Sequence, residues 1–165
     1  MNIRDFCKKY RACADGYIRN KNFENMQDFF ENSEHYDDVI WATCQVLNEK
    51  DRIRFACWCV RQIWHLLKNE RSKKVIEVAE AYCEGKATKE ELMVAQDNAR
   101  AAANTAANTA ANAAAAYAAA YYAVYAAYAA ADAARASGDI NAARKEQVEY
   151  LRENFKPDWL KGESK

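Results

Sequence analysis

The sequence predicts an all-α protein, and three observations carry that expectation. Of the 36 residues from Ala101 to Ala136, 23 are alanine, with no glycine or proline among them. Alanine is the strongest helix former because it loses no side-chain entropy on ordering. The whole chain of 165 residues holds only four glycines and one proline, so turns are few and elements long. Elsewhere the apolar residues recur at helical spacing. The expected architecture is a bundle of about six to eight helices around a long Ala-rich helix at about 89–136. Domain limits follow as 1–157 for a single helical domain and 158–165 for a tail in which Trp159 and Leu160 can dock.

Taken in order, residues 2–13 give an amphipathic helix with Ile3, Phe6, Cys7 and Tyr10 on one face, closed by Ala14-Asp15-Gly16 with Gly16 as a left-handed cap. Residues 22–31 give a second, carrying Phe23, Met26, Phe29 and Phe30. Ser33 reads as the N-cap of a third through Leu47, with Tyr36, Ile40, Trp41, Cys44 and Leu47 inward and Asp37 and Asp38 where the helix dipole favours acids. A fourth opens at Asn48 or Asp51 and runs to about Lys68, with a wide apolar face that includes Ile53, Phe55, Val60 and Leu67. Asn69 caps a fifth, through Glu84, whose inward face includes Val75, Ile76, Val78 and Ala79; Gly85 stops it.

Thr88 and Glu91 then form a capping box that starts the Ala-rich helix near Lys89. Unbroken to Ala136, that helix would be about 70 Å long, roughly twice the width of a compact domain of this size. It therefore either protrudes to pair with another chain or kinks or breaks near 104–112, where Asn104, Asn108 and Asn112 tolerate the left-handed region. Ser137-Gly138-Asp139 is a stop and restart, and a final helix runs to about Phe155, ahead of Pro157.

Charge narrows function. Lysine plus arginine and aspartate plus glutamate number 24 each, so no global field draws nucleic acid or an anionic membrane. The uncharged stretch 101–131 lacks Leu, Ile and Phe and carries three Asn, two Thr and five Tyr, which disfavours a membrane span. The start MNIRDFCKKY has no apolar signal region, and the six cysteines, Cys7, Cys13, Cys44, Cys57, Cys59 and Cys83, read as reduced thiols of a cytoplasmic protein.

Catalytic patterns are scarce. His35 and His65 fall on separate helices, and His65 reads as a half-buried packing residue. Cys57-Trp58-Cys59 has neither metal-knuckle nor redox spacing; a zinc site from Cys57, Cys83 and His65 would have to form across helices. There is no glycine-rich phosphate loop. Glu77, Glu80 and Glu84 form a solvated acidic row. The expectation is a non-enzyme with no cofactor and no metal. The candidate binding residues are the row Tyr117, Tyr121, Tyr125 and Tyr128, continued by Asp132, and the arginines Arg52, Arg54 and Arg61. Tyrosine gives large contact area at low entropic loss, and arginine grips acidic groups or phosphates.

The run DRIRFACWCVRQIWHLLKNERSKKVIEVAEAYCEGKATKEELMVAQDNARAAA resembles alanine-rich helical proteins of bacteria and phages. There an aromatic-rich helix ending W-H-L-L is followed by a D/N-E-R-S step, a V-E-V-A-E helix, a Gly-x-A-T stop and an alanine-rich tract. It is similar to the immunity proteins of polymorphic-toxin systems, over residues 51 to about 136. The resemblance implies a helical, non-enzymatic protein that acts by binding: an immunity or phage anti-defence inhibitor whose partner is a host defence protein or a toxin. Two alternatives stand beside it. One is a protein that sequesters a small ligand such as a signalling nucleotide; the other is a self-associating structural protein, a homodimer through the Ala-rich helix.

Overall fold

A computed structural model describes residues 1–67, 69–103, 126, 129–130 and 140–159. Among them the protein is all-helical, with no strands: α1 (Ile3–Tyr10), α2 (Ala14–Asn20), α3 (Met26–Asn32), α4 (Tyr36–Val46), α5 (Glu49–Gln62), a 3-10 turn (Trp64–Leu66), α6 (Glu70–Cys83), α7 (Lys89–Ala103) and α8 (Ile140–Asn154). No helix of the described residues is long and apolar enough to cross a membrane. The course of the Ala-rich tract past Ala103, with the expected break near 104–112 and the Ser137-Gly138-Asp139 restart, lies outside the described residues.

The chain divides into two compact units: Met1–Leu47 with Lys145–Lys165, and Asn48–Arg144. In the first, α1 starts on Asn2, whose side chain accepts from the Asp5 backbone N–H at 2.8 Å. It ends on Arg11, which takes the left-handed conformation (φ 55°) expected of Gly16. Gly16 instead sits inside α2, a helix the periodicity did not reveal. A Cβ there would meet Cys13 Sγ at 3.4 Å and Asp38 Oδ1 at 3.8 Å, ordinary contact distances, so neither space nor backbone conformation demands glycine at this position. Ser33 is not the N-cap of α4: its hydroxyl accepts from the His35 N–H at 3.2 Å and donates to the buried Asn20 at 3.3 Å. The helix begins two residues later than expected, at Tyr36 rather than Glu34.

An aromatic cluster fills this unit. Phe6, fully buried, meets Tyr10, Trp41 and Trp159 at ring separations of 4.6, 6.1 and 5.9 Å. Trp159 also meets Phe30 at 5.6 Å and donates its indole N–H to Gln27 Oε1 at 2.9 Å. Trp159, placed in the tail by sequence, is therefore docked. Arg152 of α8 donates to the carbonyls of Phe30 (2.7 Å) and Ser33 (2.9 Å), at the end of α3 where helix carbonyls lack intrahelical donors.

In the second unit, α5 starts on Asn48 as expected but stops at Gln62, not Lys68. Ile63 leaves the helical region (φ −107°, ψ 18°), and the 3-10 turn that follows brings the Trp64 ring under the Arg61 guanidinium at 3.9 Å. The buried side chains are short or β-branched: Ile53, Ala56, Val60, Val75, Ile76 and Ala79, with Phe55 and Leu92. Asn69 caps α6 through the Arg71 N–H at 2.9 Å, and Gly85 follows it with φ 75°. The Thr88–Glu91 box forms with both of its bonds: the Glu91 N–H donates to Thr88 Oγ1 at 3.1 Å, and the Thr88 N–H to Glu91 Oε2 at 2.7 Å.

Candidate functional site

The three arginines picked from sequence all lie on α5 and have different surroundings. Arg61 makes a two-pronged ion pair with Glu80 of α6 while stacked on Trp64. Its bond to the Glu80 carboxylate holds its pKa above the ordinary arginine value. Arg54 pairs with Asp51 at 2.8 Å and reaches the Cys83 carbonyl at 3.4 Å. Arg52 is half-buried, and its Nε is buried with no hydrogen-bond partner. Tyr117, Tyr121, Tyr125, Tyr128 and Asp132 lie outside the described residues.

The acidic row is held by cations: Glu80 by Arg61, Glu77 by Lys74 at 3.4 Å and Glu84 by Lys86 at 2.6 Å. The bond from Lys86 lowers the Glu84 pKa. None of the six cysteines is in a disulfide, and Cys44, Cys57, Cys59 and Cys83 are buried. Burial raises the pKa of Cys57 and Cys83, leaving them as neutral, poorly nucleophilic thiols. His65 stands exposed on the 3-10 turn, not half-buried as its place beside Trp64 suggested. Among the described residues no three His, Cys, Asp or Glu side chains are grouped to hold a metal ion.

What the second unit leaves open is a groove along α6 and α7, of about 780 Å³. The turn 84–88 brings α7 back along α6, and the small side chains of Ala81, Ala87 and Ala95 leave space that bulkier residues would fill. Val75 and Val78 from α6 and Val94 from α7 complete an apolar floor. Arg71, Lys74 and Asn98 stand at one end; Lys86, Glu90 and Glu91 stand at the turn end, with Glu77 between. Val94 is 62% exposed and its neighbour Met93 54% exposed. Sequence reasoning did not single these two out. The signal was Leu92-Met93-Val94: successive helical residues are 100° apart, so three apolar neighbours cannot all face one core. Leu92 takes the core, and Met93 and Val94 are left facing water.

The chemistry this groove offers is apolar contact with a charged rim. Ligand sites for small molecules enclose most of their guest; an open groove between two helices suits a helix laid along it. Compared with known protein families, curated proteins and solved structures, the chain matches none.

Proposed function

We propose that this chain is a non-enzymatic, cytoplasmic binding protein that acts by docking a protein partner on the α6–α7 face. Within that reading, the immunity or phage anti-defence inhibitor is the class suggested by the W-H-L-L to alanine-tract run. The observation that carries it is the open groove with Val94 exposed at its floor. An apolar groove between two helices with a charged rim is the kind of surface into which a partner helix lays its apolar face. Two further features agree. Arg54 and Arg61 are already closed onto carboxylates, which leaves them less free to hold a phosphate. The buried thiols are held in their neutral form, which suits packing more than reaction.

The test is affinity capture from bacterial lysate with wild type and with Val94→Asp, a change at a position 62% exposed, with circular dichroism of both to compare folding. Proteins retained by wild type and lost with the variant support the reading. The same set retained by both overturns the groove as the docking surface. A thermal shift with a nucleotide, in the absence of any captured protein, would favour the small-ligand alternative.

A further inference from the structure

The charges around the groove point to one kind of occupant. Its lining carries three cations, Arg71, Lys74 and Lys86, and three anions, Glu77, Glu90 and Glu91. A balanced rim selects neither a polyanion nor a polycation. The charges are also separated along the groove. Lys74 is occupied by Glu77 and Lys86 by Glu84, while Glu91 is bonded to the Thr88 N–H. Among the described residues, Arg71 and Glu90 are the groove charges left without an ion-pair or hydrogen-bond partner for their side chains, and both are exposed. Arg71 stands one residue into α6, far from the turn; Glu90 stands one residue into α7, next to it. From Arg71 to Ala81, the span of α6 that lines the groove, the helix rises about 15 Å.

We infer that the groove is the interface between two copies of this chain, related by a two-fold axis that crosses it near Val78 and Val94. Such an axis lays the hairpin of one copy antiparallel on the other. It carries the Arg71 end of each onto the Glu90 end of its partner, so one unpaired charge answers the other twice, as a two-fold interface requires. The Val78 and Val94 side chains of both copies then cover one another at the centre. Facing α6–α7 hairpins make a four-helix arrangement, and the alanines of the floor let the helices approach closely. The inference rests on the α6–α7 face being a protein-docking surface and names the protein that docks.

Sedimentation velocity of the full chain over a dilution series tests it. The expected result is a monomer–dimer equilibrium that Val94→Asp shifts to monomer. Arg71→Glu and Glu90→Lys each place like charges together twice, and each weakens the dimer about tenfold. Mixed in equal amounts, these two variants form a heterodimer in which both contacts are again of opposite sign, and dimerisation returns to wild-type strength. That rescue would not follow from loss of folding or from a dimer made elsewhere. A dimer indifferent to Val94→Asp and to both charge reversals overturns the inference. So does a wild type that remains monomeric at every concentration. If that monomer still captures a bacterial protein through Val94, the docking reading survives with a different partner; if Val94→Asp changes neither property, both fall.

Discussion

In the first unit, distant parts of the chain are tied by contacts made one at a time: Arg152 to two carbonyls of the α3 end, Trp159 to Gln27, and Asp38 to Arg19 and Asn20. These close around large rings. In the second, α5, α6 and α7 follow one another with short connections and bury small and β-branched side chains. Its polar contacts between helices include Arg61–Glu80 and Tyr82–Glu49, and they link elements that are already neighbours along the chain. The difference teaches where binding surface can come from. Helices with small residues at their contacts leave grooves; rings that interlock fill them. The groove along α6 and α7 belongs to the second unit.

Substitutions can press on that contrast. Phe6→Ala has the largest expected effect. It removes a fully buried ring that touches three others, and large-to-small changes of this kind cost about 3–5 kcal/mol. Urea unfolding followed by circular dichroism measures it. A loss under about 1 kcal/mol would mean the cluster is loosely packed and the contrast misplaced.

Arg152→Met comes next. The aliphatic part of the side chain is kept, but the carbonyls of Phe30 and Ser33 lose their donors. Burial already lowers the Arg152 pKa, a sign that the guanidinium has given up water to make these bonds. Charge-assisted bonds of this kind contribute about 1.5–3 kcal/mol, and unfolding of the variant should show a loss of that size. Arg152→Lys, without the planar fork that reaches both carbonyls, should recover only part of it.

A smaller effect of opposite sign is expected at two hydroxyls, one in each unit. Thr43 Oγ1 and Ser72 Oγ are buried with no hydrogen-bond partner. Thr43→Val and Ser72→Ala remove a desolvated polar atom without opening a large space, and each should raise stability by about 1 kcal/mol. Destabilisation by either would show that its hydroxyl is satisfied in solution.

What could be read from the sequence follows the same division between local and distant causes. Asn48, Asn69 and the Thr88–Glu91 box were legible because a cap and the N–H it serves lie within three residues. The helical class was legible from composition and periodicity. Gly16 was misread because Cys13 caps a short helix, α2, that the apolar spacing does not mark, and Ser33 because a distant group, Asn20, captures its hydroxyl. Arg152, more than a hundred residues from the carbonyls it serves, left no local signal at all. Of the candidate site, the α5 arginines were legible as a cluster, but not the Arg61–Glu80 ion pair, which needs α6 laid beside α5. The groove was half legible: Val75 and Val78 lie on the expected inward face, whereas Val94 appears only once Leu92 is known to have taken the core.

The smallest expected effect concerns Arg61, the most tightly engaged of the arginines that sequence put forward for binding. Its ion pair with Glu80 has good two-pronged geometry, yet the two side chains are 37% and 35% exposed. Water and salt screen such a pair, and its contribution to stability is under about 1 kcal/mol. Arg61→Ala should therefore leave the unfolding midpoint nearly unchanged. What it should change is the surroundings of Trp64, because the guanidinium lies over that ring at 3.9 Å. The measurement is tryptophan emission compared between Arg61→Ala and the same change in a Trp64→Phe background: a spectral difference present in the first and absent in the second assigns it to the stack. If instead Arg61→Ala lost several kcal/mol, the second unit would depend on long-range polar contacts as the first does, and the contrast between the two would vanish.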